Sequence, residues 1–314
     1  MTSDARPIRP AWWATPRIRL VLRFAMLVGI GLGIETVVLH LMMDPLADVH
    51  AYYDAGARLN AGQPLYDQPA TTDESDFYRY PPLLAILFRP LATLPFEAAA
   101  AIWMVVLGVC FALTILRLGP RRRSTWIVLG MLALPTGWSL AVGQAQVVVT
   151  LLTALGAPWA IALGANIKVF PALLAVWWLG RREMRPLAWF AAWVVALIAV
   201  QFVLAPQASI DFVRTFGLGQ VGNVENRSLY ALSPVLWAAA VVAGIFVAWR
   251  LAPSRWGWAA AVALSVFATP RLLIYQLSTL VAAVRDPSAD TSADRTAEPS
   301  PDSSADTAVR EAPA

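Results

Sequence analysis

Apolar residues run along most of this chain in blocks of roughly 15–25 positions, broken by short stretches rich in arginine, proline and glycine. A block of that length matches a hydrocarbon core about 30 Å thick. The blocks fall at roughly 18–43, 81–95, 97–118, 124–141, 144–159, 161–180, 186–205, 231–250 and 256–284. They predict an all-α fold, a polytopic integral membrane bundle of about 8–10 transmembrane helices. Blocks 81–95 and 144–159 are short, and are expected to be tilted, re-entrant or broken. No repeat with a period of about 20–50 residues is visible.

Composition agrees with the pattern. The 314 residues are 58% apolar and 14% charged, against about 25% charged in soluble chains. The first block follows Arg6, Arg9, Arg17, Arg19 and Arg23 and resembles a signal-anchor that stays attached. Basic flanks stay on the cytoplasmic side, which puts loop 44–80 outside. That loop carries Asp44, Asp48, Asp54, Asp67, Asp73, Glu74 and Asp76 against Arg58 and Arg79. Beyond it two topologies compete. If 81–95 crosses, which we prefer, Arg121–Arg123 fall outside and Arg181, Arg182 and Arg185 inside; if not, the clusters exchange sides. Each choice offends one cluster.

The formal charge of +4 averages two unlike regions. Seven acids and two arginines follow Arg285, so the 24 basic and 20 acidic residues of the whole chain become 22 and 13 without them. The excess reads as membrane anchoring, and nothing suggests nucleic-acid binding. The Ser-Ala-Asp units among prolines from Asp286 onward have no apolar period and are expected to be disordered. The expected division is thus a cytoplasmic segment 1–17, a membrane-embedded domain 18–285 with outer loop 44–80, and an acidic tail 286–314. The single cysteine, Cys110, allows no intrachain disulfide and reads as helix packing.

Polar residues inside apolar blocks narrow the chemistry. Lys168, the only lysine, stands in "GANIKVFPALLAVWWLG". A cation at mid-bilayer costs at least about 2.5–3.5 kcal/mol unless it faces a wet cavity or a partner. Snorkelling is the alternative. Pro171 breaks regular hydrogen bonding nearby, as where helices line cavities, and an ammonium there suits an anionic group such as phosphate. Gln144 and Gln146 fit either a cavity or interhelical bonds. Glu35 and His40 read as pairing within the bundle. Arg271, after Pro270, fits phosphate binding or snorkelling, and Arg89 snorkelling.

Asp48 lies just past the first block, where partial burial makes a carboxylate a better base; a solvated acidic loop is the competing interpretation. His50 is placed to orient substrate or tune Asp48. Tyr52, Tyr53 and Tyr66 fit an interfacial belt or platforms for sugar rings.

The order of "DVHAYYDAGARLNAGQPLYD", "YRYPPLLAILFRPLATLP", "GQAQVVVTLL" and "GANIKVFPALL", with "GNVENRSLYAL" after them, resembles glycosyltransferase family 87. The resemblance implies a GT-C-like fold with its site at the extracytoplasmic face. It implies inverting transfer of a sugar, mannose first, from a polyprenyl-phosphate donor to a glycolipid or glycan acceptor. The family's catalytic aspartate matches Asp48. Other motif positions fall on Tyr80, Pro81, Pro82, Gly143, Gln144, Lys168, Pro171, Asn226 and Ser228. His50, Tyr52, Tyr80, Gln144, Lys168, Asn226, Arg227 and Arg271 are the expected substrate-binding residues, with no metal or cofactor. Gln146 stands where relatives often carry asparagine, and Gln276 in "TPRLLIYQLSTL" where an acid is common. A lipid transporter or flippase and a non-catalytic assembly subunit are the alternatives, a transporter being disfavoured by the lack of an inverted repeat.

Overall fold

The computed structural model describes residues 15–43, 46–66, 78–119, 123–215 and 226–285. The expected tail and most of the acidic part of the outer loop lie outside these residues, as do residues 1–14 and Arg121 and Arg122. The chain divides into a unit Met1–Val284 and a unit Arg285–Ala314; the first is described below.

The regular structure among the described residues is helical, as the apolar blocks predict. Four helices are long and apolar enough to cross a membrane: α1 (Pro16–Met43), α4 (Phe96–Leu118), α10 (Met184–Leu204) and α12 (Pro234–Leu251). Their ends follow local chemistry. α4 starts after Pro95 with Glu97 in its first turn, and stops at Gly119 in the left-handed region with Arg117 in its last turn. α12 starts at Pro234 behind Ser233, whose hydroxyl accepts from the Leu236 amide.

The remaining elements are short. They are α2 (Ala47–Asn60), α3 (Pro82–Phe88), α5 (Arg123–Met131), α6 (Ala133–Ala141), α7 (Gln146–Leu155), α8 (Pro158–Ile167), α9 (Ala175–Arg181), α11 (Pro206–Thr215) and α13 (Gly257–Phe267). Two 3₁₀ stretches matter for the site, Phe170–Leu174 and Ile274–Val284. The apolar block 256–284 is therefore not one helix, because it breaks around Pro270.

Two core clusters mark the two ends of the bundle. One gathers α2, α3 and the start of α7, with Val49, Tyr52, Leu84 and Val147. The other gathers α9 and the start of α13, with Trp177, Trp178, Ala252 and Trp258, and Leu118 packed against it. α1 runs alongside α5 and α6 at backbone contact. A Cβ at Gly29 would meet the Gly130 oxygen at 2.3 Å, and one at Gly33 would meet the Ala133 oxygen at 2.7 Å. Such close approach of small residues is how helices associate without water to drive them together.

Block 81–95, expected to cross, holds no helix long enough to do so among the described residues. α3 is seven residues long, the Tyr53 hydroxyl donates to the Leu94 carbonyl at 2.7 Å, and His50 stacks on Phe96 at 3.7 Å. α4 therefore sets out from the end that α2 occupies. α5 and α6 return to that end, where the Asp48 amide donates to the Val142 carbonyl at 3.1 Å.

α7 and α8, ten residues each and so about 15 Å long, form a hairpin that dips in and comes back. The 3₁₀ stretch and α9 then lead away to the other end. There Gly180 lies against α12: a Cβ on it would meet the Trp249 oxygen at 2.6 Å. Blocks 144–159 and 161–180 thus make one net passage. Arg181, Arg182 and Arg185 follow α9 at the end that also holds Arg117, Arg250 and Arg255.

Candidate functional site

The site lies at the α2 end. Leu46 sits in the left-handed region (φ 62°) just before α2, and Asp48 falls in the first turn of that helix. A helix start favours a negative charge, and a non-glycine residue at positive φ is a strained backbone that surrounding structure must hold. Gly143 (φ 71°) permits the fit: a Cβ there would meet Val49 Cγ2 at 2.1 Å. The 143–145 turn can therefore lie directly on α2.

That turn carries Gln144, which is fully buried. Its Oε1 accepts from the Tyr52 hydroxyl at 2.5 Å, and its amide also meets the Tyr80 hydroxyl at 3.1–3.2 Å. Tyr52 and Tyr80 stand edge to face, 5.3 Å between centroids. Tyr52 is one helical turn after Asp48 and shares its face. His50 is on the opposite face, exposed against Phe96.

Lys168 stands where α8 ends, in extended backbone before the 3₁₀ turn that Pro171 helps to form. Its Nζ donates to Gln146 Oε1 at 2.8 Å and lies 5.1 Å from the centroids of both the Tyr80 and Tyr275 rings. Gln146 has no freedom to turn. Its Nε2 donates to Thr279 Oγ1 at 2.6 Å, Thr279 faces Thr150 Oγ1 at 2.9 Å, and the Thr150 hydroxyl donates to the Gln146 carbonyl at 2.8 Å. Each hydroxyl has one proton. Thr150 spends its own on the carbonyl, so Thr279 must donate to Thr150 and accept from Gln146. The ring fixes the amide with its oxygen toward the ammonium.

Asp48 and Lys168 belong to one electrostatic cluster. The Asp48 charge acts on Lys168, Tyr52, Tyr80, Tyr275 and Arg79. Burial and the nearby Arg271 charge pull the Arg79 guanidinium below its ordinary value, with Asp48 among the groups opposing them. Lys168 and Arg79 thus stand near one carboxylate, with Arg271 beside Arg79.

The other expected residues separate into two groups. Asn226 is a clamp: its Nδ2 donates to the Pro270 carbonyl at 2.9 Å, and its Oδ1 accepts from the Ser228 and Leu272 amides at 2.9 and 3.1 Å. Ser228 also donates to the Pro270 carbonyl. Together they hold the segment that carries Arg271. Arg227 is exposed beside this clamp, its amide bonded to the Leu272 carbonyl. Pro81 and Pro82 begin α3, whose free amides at Leu83 and Ala85 are taken by Gln201 Oε1 and the Tyr78 hydroxyl, both at 3.0 Å.

Away from the cluster, Arg89 ties Asn60 of α2 to the Leu204 carbonyl. His40 Nδ1 donates to the Thr36 carbonyl at 2.9 Å, and the ring lies beside Trp138. Glu35 is exposed on α1, with no hydrogen bond or ion pair among the described residues. Tyr66 donates to the Tyr80 carbonyl at 2.8 Å. Among the described residues no three His, Cys, Asp or Glu side chains gather as a metal-ligating group.

Four participants were missed in the sequence. Arg79 reads there as one charge among many in a polar loop, although it directly precedes the Tyr-Pro-Pro motif. Tyr275, Thr279 and Thr150 lie within the quoted motifs but were not singled out, because their roles come from the packing of the last 3₁₀ segment against α7.

Similarity to known proteins covers the part of this region from residue 77 onward. The profile of glycosyltransferase family 87 matches residues 77–284, more than half of the chain. A Mycolicibacterium smegmatis protein named polyprenol-phosphate-mannose-dependent alpha-(1-2)-phosphatidylinositol pentamannoside mannosyltransferase is 31% identical over 207 residues, covering 58% of this chain and 50% of that protein. A Mycobacterium tuberculosis protein of the same name is 25% identical over 205 residues, covering 56% and 46%. The chain spans about half the length of these curated relatives. No solved structure matches. With four helices apolar and long enough to cross a membrane, and a family profile that matches more than half of its length, the chain is a membrane protein of glycosyltransferase family 87.

Proposed function

We propose that this protein transfers a sugar, mannose by the names of its relatives, from a polyprenyl-phosphate donor to a glycolipid or glycan acceptor, inverting the anomeric carbon. One observation carries this: Lys168 Nζ lies 5.1 Å from the Tyr80 ring, Tyr80 stands edge to face on Tyr52, and Tyr52 is one helical turn from Asp48, so the ammonium and the carboxylate, remote in sequence, belong to one end of the bundle. Asp48 accepts the proton of an acceptor hydroxyl as that oxygen bonds to the anomeric carbon. The carbon–phosphate oxygen bond breaks on the opposite face, and its electron pair leaves with the polyprenyl phosphate. Lys168, with Arg271 and Arg79, stabilises the charge that gathers there. Tyr80, only partly buried, offers its ring to the sugar, while Tyr52, wholly buried behind it, holds that ring in place rather than touching substrate. The arginine-rich opposite end faces the cytoplasm by the positive-inside rule, which puts the site on the extracytoplasmic side.

The test is incubation of the purified, reconstituted protein with radiolabelled polyprenyl-phosphate-mannose and a glycolipid acceptor. The expected result is a labelled glycolipid together with free polyprenyl phosphate. An intact donor after prolonged incubation, with the protein folded, removes the proposal.

The ring about Gln146 makes a separate prediction. Thr279→Val deletes both the acceptor for Gln146 Nε2 and the donor to Thr150, so the amide can turn its nitrogen toward Lys168. The KM for donor should rise about tenfold with kcat changed less, and Thr279→Ser should restore it. Equal losses in both variants, or a fall in kcat alone, would separate the ring from Lys168.

A further inference from the structure

The segment Ile274–Val284 is eleven residues of 3₁₀ helix, where runs beyond three or four residues are uncommon and mid-chain examples accompany function or strain. With three residues per turn, side chains three apart stand in line. Gln276 and Thr279 therefore share a stripe, about 6 Å apart along the axis. Thr279 reaches Gln146 and, through it, Lys168. Tyr275, the residue before Gln276, has its ring 5.1 Å from Lys168 Nζ. Gln276 thus lies between a residue whose ring faces the ammonium and one that reaches the ammonium through Gln146.

Gln276 Oε1 is buried and has no hydrogen-bond partner. Buried amide oxygens are nearly always bonded, and a vacant one marks a place where something binds or where strain is stored. Nothing else in the stripe is left in this condition: Thr279 Oγ1 is engaged, and the Ala282 carbonyl takes the Trp258 indole N–H at 2.8 Å.

We propose that Gln276 is a specificity residue of the donor subsite, its amide oxygen accepting a hydrogen bond from one hydroxyl of the sugar held beside Lys168. The ligand class follows from the vacant atom. A carbonyl oxygen needs a donor, which a sugar hydroxyl has and a phosphodiester lacks. The position also suits a sugar whose phosphate lies on the ammonium. This inference rests on the transferase reading above.

Monodeoxy donors test it. Polyprenyl-phosphate-mannose and its 2-, 3-, 4- and 6-deoxy forms are assayed with wild type, Gln276→Leu and Gln276→Glu. Wild type should lose about 3- to 10-fold in kcat/KM on one deoxy form that Gln276→Leu no longer distinguishes from the parent sugar. Gln276→Glu keeps an acceptor oxygen and should keep that discrimination. If Gln276→Leu retains the full wild-type pattern, or Gln276→Glu loses the donor as Gln276→Leu does, the assignment is wrong. Failure of wild type on the parent donor defeats the transferase reading instead. Thermal unfolding of each variant separates either result from misfolding.

Discussion

Asp48→Asn is expected to lower sugar transfer by about 10²- to 10⁴-fold, the usual contribution of a general base, while the protein folds normally and still binds its donor. The fold should survive because the residue is anchored through its backbone: the Asp48 amide bonds to the Val142 carbonyl, and α2 is held by Tyr52, Gln144 and Arg89. Asparagine keeps the volume but offers no oxygen basic enough to take the acceptor proton. The substitution also removes the negative charge among Lys168, Arg79 and Arg271. An anionic donor should therefore bind as well as before or better, and the loss should appear in kcat. Turnover at the wild-type rate in purified Asp48→Asn would show that the proton goes elsewhere.

The second large effect is on binding. Lys168→Met removes the ammonium but keeps a long flexible side chain, and donor affinity should fall by about 10- to 100-fold, the range of a lost charge-assisted hydrogen bond. Among the described residues the ammonium donates one hydrogen bond, to Gln146, and it has three N–H groups to give, so it can also aim at a phosphate. Arg89→Met is the control. That guanidinium is spent on Asn60 and the Leu204 carbonyl, away from the cluster, so its loss should alter stability slightly and donor affinity hardly at all. Titration of donor into vesicles holding each variant decides between them. Equal weakening by both substitutions would mean that the lysine acts only through the general positive field.

The fold class was legible because hydrocarbon thickness imposes a length on apolar blocks, and α1, α4, α10 and α12 follow it closely. The path between residues 81 and 181 was not. Both α3 and the α7–α8 pair are apolar enough to suggest spans and too short to be full ones, and only packing tells whether such pieces cross. At the site, the isolated Lys168 announced itself by its cost in an apolar block, and Asp48 by its place at the end of one. Asn226 and Gln144 stood out equally well as motif residues, yet the structure engages both in fixing other groups. His50 was suggested by nearness in sequence to Asp48; two positions along a helix amount to roughly 200° of turn, which sends it the other way. Arg79, Tyr275 and Thr279 become visible only when the last segment docks, since no local pattern ties them to a lysine a hundred residues away.

The hairpin of α7 and α8 bears on how the protein is made. Neither helix alone is long enough to be taken up by the insertion machinery as a stop or a start, and the lysine follows directly behind them. Residues 144–181 are best suited to enter the bilayer together as a single translational event, with the ammonium carried in by its apolar escort rather than dragged through lipid on its own. Biogenesis and chemistry would then impose the same requirement, that these two short helices stay short.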